Sequence, residues 1–323
     1  MPVDKKVIAS HLDKTVFETH LDHLGDRYRG KVRDTYARAD RLILVTTDRV
    51  SAFDHVLRQT IPFKGQVLNR LAAFFFESTS DIVRNHVLAI PDPNVTLALR
   101  CEPVPVEFVV RGYLAGHAWR EYRSGKRELC GEPLPDGLRQ NEQLPEPILT
   151  PATKAVTGHD EDVSRKETIA RGILDEPTFE HLKTMALAVF ERGSKLASER
   201  GLILVDTKYE FGRAPDGAYV LIDEVHTPDS SRYFYADSYA DLLREDKPQR
   251  QLSKEFLREW LIDHGFQGCE GEVLPDLPDA FRVEVAARYI ELFERVTGKE
   301  FEPAMGSEPE ARIASSIEHA LTI

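Results

Sequence analysis

The stretch from Leu202 to His226 constrains this chain more than any other, because it encodes a β-hairpin with two chemically different faces. Leu202 to Phe211 reads as a strand, Ala214 to Ala218 as a turn containing Asp216-Gly217, and Tyr219 to His226 as the returning strand. Side chains alternate along a strand, so Asp206, Lys208 and Glu210 share one face, while Ile203, Val205, Tyr209 and Phe211 share the other. A two-residue Asp216-Gly217 turn pairs Pro215 with Ala218. It then sets Glu210 opposite Asp223 and Lys208 opposite Val225. Directly opposed carboxylates repel. A divalent cation removes the repulsion, and magnesium takes one or two carboxylates, with phosphate oxygens and waters completing its shell. Glu210 and Asp223 are thus candidate metal ligands. Taken alone, the strand also fits a solvated outer face neutralised by Lys208, and a one-residue slip in register parts the pair.

A chain of 323 residues suits two lobes with a cleft between them. The boundaries expected are a small α+β lobe over 1–105, a central α+β lobe over 106–250, and a helical part over 251–323 packed on the central lobe. The net charge of -12 argues against general nucleic-acid or membrane binding. Small phosphorylated ligands need only local cations and are not excluded. Cys101, Cys130 and Cys269 form no CxxC pair, which argues against a zinc site or a disulfide framework and fits a reducing compartment. The first residues lack the apolar run of a secretory signal, and no stretch approaches the roughly 20 apolar residues of a membrane span. A cytoplasmic protein is expected.

The pattern along the chain predicts further elements. Arg29 to Tyr36 and Arg41 to Thr47 read as strands, joined by a turn at Ala37 to Asp40, and Lys64 to Glu77 as a helix. Leu97 to Arg100 and Val106 to Val110 read as strands, and Ala115 to Arg123 as a helix. Leu129 to Gly158, rich in Pro and Gly, reads as a long functional loop. Asp175 caps a long helix that ends near Gly201. Helices over Leu252 to His264 and Ala280 to Val296 follow, and a polar segment from Ser307 closes the chain.

Several segments carry residues suited to anions. RGKVRDTY sets Gly30 beside Lys31 and Arg33, read as sharing one strand face: glycine lets a ligand approach backbone, and the cations suit phosphate oxygens. Asp229 and Arg232 bracket two serines, Ser230 and Ser231, in a turn where an arginine can bind phosphate bidentately. VPVEFVVRGYLAGHAWREY places Glu107 within a strand, Arg111 at its end and His117 near a helix start, where it can donate to an anion. Lys154 lies in the long loop shortly before His159-Asp160 and the acidic run through Asp162. Each motif also has an ordinary reading: a basic strand, an Asx turn, a packed histidine, a solvated acidic face.

In order along the chain, GKVRDTY, TTDRVSAFD, IPFKGQVLN, PVEFVVRGYLAG, TPATKA followed by GHDEDVS, LVDTKYEFG and DEVHTPDSSRYF resemble the motif series of SAICAR synthetases, from about residue 17 to about residue 262. The style of GHAWREY and the long C-terminal part look like the longer, fungal-type members. The resemblance implies an α+β fold, SAICAR synthase-like and similar to the two-lobe ATP-grasp ligases, with antiparallel sheets and a glycine-rich hairpin covering ATP. It implies that Gly30, Lys31, Arg33 and Lys208 lie at ATP phosphates, Glu107 at the ribose, and Glu210 and Asp223 on Mg2+. It implies that Arg111, Arg232, Ser231 and His117 hold the imidazole ribotide, with Ser51, Asp54 and Lys64 also on the substrate side. Lys154, Asp160 and Asp229 join Lys208 as candidate catalytic residues. His117 stands where the family usually has serine.

The reaction implied is ATP-dependent joining of L-aspartate to the carboxylate of the ribotide, giving SAICAR, ADP and phosphate in purine biosynthesis. The partners implied are small molecules only, ATP, ribotide and aspartate, with no nucleic acid or membrane and with a monomer or dimer as the assembly. Another ATP-dependent ligase or kinase on the same frame would share the hairpin but need not pair Arg111 with Arg232. A non-catalytic nucleotide-binding protein would be expected to have lost metal carboxylates or phosphate lysines, and all are present.

Overall fold

A computed structural model describes residues 3–154, 161–306 and 308–322. The chain divides into two compact units: Met1–Phe74 with His86–Arg100 and Leu252–Ile323, and Phe75–Asn85 with Cys101–Gln251.

The first unit is built on a five-stranded antiparallel sheet in the order Asp26–Arg29, Arg33–Arg38, Arg41–Thr46, Val95–Leu99, Val87–Asp92. Its apolar face carries Tyr36, Ile43, Val45, Val95 and Leu97, all buried, together with Val16, Leu21 and Leu24. Arg29 to Tyr36 is not one strand. The chain reverses at 30–32, where Gly30 N–H donates to the Arg33 carbonyl at 2.8 Å, so Lys31 sits in the turn and not on a strand face beside Arg33. The polar alternation of RGKVRDTY hid this reversal, because both arms of a tight hairpin are charged.

The C-terminal residues belong to this unit and not to the central lobe. The polar segment expected from Ser307 is largely the helix Pro309–Thr322. Ile313 and Ile317, one helical turn apart, complete the core that contains Tyr36 and Val45. Arg282, on the helix Asp279–Thr297, donates to the carbonyls of Thr60 at 2.8 Å and Leu12 at 2.9 Å.

The second unit centres on the long strand Leu202–Arg213. One edge of this strand pairs with Val106–Tyr113, which pairs in turn with Gln143–Leu149. That last strand lies within the segment read as a loop. Its prolines, Pro145 and Pro147, are tolerated because it is an edge strand. On the other edge the partner changes partway along: Ser231–Tyr235 pairs with the Leu202–Thr207 part, and Tyr219–Ile222 with Glu210–Arg213. The helix Glu176–Ser198 packs over this sheet and is capped by Asp175, which accepts from Thr178 N–H at 2.7 Å. Phe108 lies between Phe179 and Phe211, with ring centroids 5.6 and 5.5 Å away.

The hairpin register differs from the expectation by one residue. Its loop has three residues, Pro215 to Gly217, closed by Ala214 N–H on the Ala218 carbonyl at 2.8 Å, with Gly217 at φ +86°. Glu210 therefore pairs with Ile222, not Asp223. The returning strand stops at Ile222, and Asp223 takes a left-handed φ of 67°, a conformation that aspartate adopts more readily than most residues. That residue turns the chain out of the sheet at the place where Leu202–Arg213 changes partner.

Candidate functional site

The site in the second unit grows from the period-2 face of Leu202–Arg213. Asp206 pairs with Arg111 and Lys208 with Val109 across to Val106–Tyr113. Lys208 bridges two carboxylates, Glu107 on that neighbouring strand and Glu210 two residues along its own. Lys208 Nζ donates to Glu107 Oε1 at 2.9 Å and to Glu210 Oε1 at 2.5 Å. Lys154 holds the other oxygen of Glu210. Burial opposes the Lys208 ammonium, but the charges of Glu210, Asp223 and Glu107 outweigh it and raise its pKa. Burial likewise opposes the Glu210 carboxylate, yet Lys208 and Lys154 hold it well below the usual range. Asp223, displaced from the expected register, still bears on this cluster through its charge on Lys208.

A second cluster lies one step along the same face. Asp206 Oδ2 accepts from Arg111 Nη1 at 3.1 Å and from Arg232 Nη1 at 2.5 Å. Arg111 Nε also donates to Thr150 Oγ1 at 2.8 Å, so two partners, Asp206 and Thr150, fix its plane. Burial pulls Arg111 below an arginine's usual value; Asp206 opposes this and Arg232 adds to it. The Arg232 guanidinium lies against Gly116, where an added Cβ would come within 2.3 Å of it. The next residue, His117, bonds Asp162 through Nε2 at 2.7 Å. That bond, ahead of the opposing effect of burial, lowers the Asp162 pKa, and Arg111 lowers it further. Arg111 and Arg232 therefore meet on Asp206, while His117 bonds Asp162, whose charge also bears on Arg111. Both acids were missed as partners, since nothing local ties them to the arginines.

The turn after the hairpin borders both clusters. Lys208 N–H donates to the Ser230 carbonyl at 3.1 Å, and Ser231 Oγ donates to Thr207 Oγ1 at 2.7 Å. Thr227 Oγ1 organises the turn, accepting from Asp229 N–H at 3.3 Å and donating to Glu224 at 2.7 Å. Asp160 lies outside the described residues.

The first unit holds the remaining candidates. Lys31 Nζ bonds Asp54 at 2.5 Å on an exposed surface beside the Gly30 turn. Ser51 accepts from Lys254 at 3.2 Å. Lys64 is buried, its ammonium 5.7 Å from the Tyr289 ring centroid. Asp48 of the TTDRVSAFD segment is buried and accepts from Gly65 N–H and Val16 N–H, each at 2.8 Å, so it caps the helix Lys64–Ser78. Burial pushes its pKa up to about 6, against the pull of those two N–H groups. Gly65 is required there, because a Cβ would meet the Thr46 carbonyl at 2.3 Å.

Among the described residues no group of three or more acidic, histidine or cysteine side chains forms a ready metal cage, and no helix is long and apolar enough to cross a membrane.

The SAICAR synthetase family model matches residues 26–271. A phosphoribosylaminoimidazole-succinocarboxamide synthase of Cytophaga hutchinsonii is 55% identical over 294 residues, covering 91% of this chain and 94% of that protein. Among solved structures, the SAICAR synthase of Saccharomyces cerevisiae complexed with SAICAR matches with a TM-score of 0.77 and 32% identity, over 89% of this chain and all of that one. A type-2 SAICAR synthetase in complex with ADP matches with a TM-score of 0.67 and 25% identity, over 86% of this chain and 100% of that chain. The fungal-type reading is not supported: the bacterial relative is the more similar in sequence, and its coverage shows that a chain of this length is not peculiar to fungi. From its family match and its identity to this relative, the chain belongs to the SAICAR synthetase family.

Proposed function

We propose that the chain joins L-aspartate to the carboxylate of carboxyaminoimidazole ribonucleotide, using ATP and releasing ADP, phosphate and SAICAR, in the cytoplasm. The observation that carries this reading from the molecule itself is the adjacency, on one strand face, of a lysine–carboxylate cluster and a paired-arginine cluster. The first suits phosphoryl transfer, the second a phosphorylated substrate.

Arg111 and Arg232 take the ribotide phosphate, with His117 donating to it in place of serine and Ser231 alongside. Lys208 and Lys154 offset charge on the transferring phosphoryl group, and Glu107 meets the nucleotide ribose. In the first unit, Gly30, Lys31 and Arg33 hold nucleotide phosphate oxygens, and Ser51, Asp54 and Lys64 serve the substrate side. Asp229 and Asp160 are the acidic candidates beside the reacting groups. Glu210 and Asp223 would hold Mg2+. The donor chemistry suits that ion: Glu210 and Asp223 are hard carboxylates whose charges both bear on Lys208, and a cation there would replace at least one of the lysines now bonded to Glu210. Bound there, the ion would neutralise phosphate charge.

The chain's own contribution is positioning and charge. The ribotide carboxylate takes the phosphoryl group from ATP, and the amine of aspartate attacks the resulting acyl phosphate, expelling phosphate. The test is an ADP-release assay with each substrate omitted in turn. ADP formed in step with SAICAR only when ribotide and aspartate are both present supports the reading. Equal ADP release without aspartate would make the chain a kinase.

A further inference from the structure

We infer that Arg49 is a positioning residue for the hairpin turn at Gly30 to Arg33: it draws the turn's carbonyl oxygens inward, so that the opposite side presents N–H donors to an anion. The inference rests on the reading that this turn holds nucleotide phosphates.

Arg49 is among the largest fully buried side chains of the protein. Its guanidinium is spent almost entirely on backbone. Nη2 donates to the Gly30 carbonyl at 3.0 Å, Nε to the Lys31 carbonyl at 3.1 Å and Nη1 to the Phe17 carbonyl at 2.5 Å. Nη2 also reaches Asp34 Oδ1 at 2.8 Å, an ion pair closed to solvent on both sides. Two residues earlier, Thr47 completes the pattern: its N–H and its Oγ1 both donate to the Val32 carbonyl, at 3.0 and 2.9 Å. Three consecutive carbonyls of the turn, those of Gly30, Lys31 and Val32, are thus held from one side by the segment Thr47 to Arg49.

A trans peptide points its N–H away from its C=O, and there is no cis bond among the described residues. With the Gly30 and Lys31 carbonyls drawn inward, the N–H groups of Lys31 and Val32 face the other way. Consecutive backbone donors of this kind suit an anion, and an outward carbonyl in the same place would repel one. Stability alone gives a weak reason for the arrangement, because well-packed apolar residues often replace a buried ion pair without loss. Apolar residues could fill the volume but could not orient three carbonyls. The sequence marks TTDRVSAFD as a polar loop and says nothing of this role, since a fully buried arginine is rare.

The test compares Thr47→Val, Arg49→Lys and Arg49→Met with Lys31→Ala in the full-length enzyme. The readouts are the KM for ATP, the KM for aspartate, ADP–magnesium affinity by calorimetry, and the melting temperature. Thr47→Val keeps shape and removes one anchor, and should raise the KM for ATP by about three- to tenfold, the scale of one lost hydrogen bond. Arg49→Met should raise it by more than about tenfold, and Arg49→Lys, which keeps the charge, should recover part of that loss. In all three the KM for aspartate should stay within about twofold. If an Arg49 variant does not fold, Thr47→Val decides alone. A rise in the KM for ATP with Lys31→Ala but with neither Thr47→Val nor Arg49→Lys overturns the positioning role, as does an equal rise in both KM values. No rise with Lys31→Ala shows instead that the phosphate reading of the turn has failed, and the inference falls with it.

Discussion

Arg111 and Arg232 meet on a single oxygen of Asp206, at 3.1 and 2.5 Å. Two guanidinium groups this close would repel without it. The carboxylate therefore holds the ligand-free site together, and a substrate phosphate would add the second negative charge that two cations call for.

Replacing that charge gives the first prediction. Asp206→Asn keeps the shape and should lower the stability of the ligand-free protein by about 1.5–3 kcal/mol, the range for hydrogen bonds to charged groups. Ribotide should restore part of the loss, so its stabilising shift in a thermal melt should be larger for the variant than for the wild type. Equal shifts in the two proteins would contradict a compensating role for Asp206.

Glu210 carries the second. Lys208 and Lys154 both bond it, so a cation taken up there competes with at least one lysine. Glu210→Gln should raise the magnesium concentration for half-maximal turnover by about tenfold or more, the effect of removing one charged ligand of a hard ion. An unchanged magnesium dependence would remove Glu210 from the metal assignment.

Asp48 sets a pH dependence of stability. Its folded pKa of about 6 lies above the ordinary aspartate range near 4. The folded state therefore binds the proton more tightly than the unfolded chain does. The resulting stability is full below about pH 4 and is lost as pH rises through 6. The difference corresponds to about 3 kcal/mol. Chemical denaturation of the wild type should show that slope between these values, and Asp48→Asn should flatten it. A slope that persists in the variant would place its origin elsewhere.

His117 is bonded to Asp162 at 2.7 Å. Exchanging it for serine should preserve turnover within about threefold, because a hydroxyl also donates to phosphate. Removing the side chain in His117→Ala should raise the KM for ribotide, and an unchanged KM would exclude His117 from the phosphate site.

How far the sequence reveals these features depends on the range of the interaction. The alternation of Asp206, Lys208 and Glu210 is local, and the structure keeps all three in one working face. The cap at Asp175 was equally readable. The register was not, because Asp216-Gly217 fits a two- or a three-residue loop and one residue decides which side chain faces Glu210. The reversal at Gly30 escaped for a similar reason: its arms are short and charged on both sides. Contacts across sequence were out of reach. Nothing near Asp206 announces Arg232, and nothing near Ile313 announces the core around Tyr36. Those pairings come from strand order and helix docking, which the residues specify only collectively.

The most direct test of the proposed chemistry follows one oxygen atom. If the ribotide carboxylate is activated by phosphorylation, one of its oxygens must leave with the phosphate when aspartate attacks. Ribotide labelled with heavy oxygen in that carboxylate, incubated with ATP, magnesium and aspartate, should yield SAICAR and inorganic phosphate carrying one labelled oxygen. SAICAR formed with unlabelled phosphate, or labelled phosphate released at the same rate without aspartate, would contradict the account.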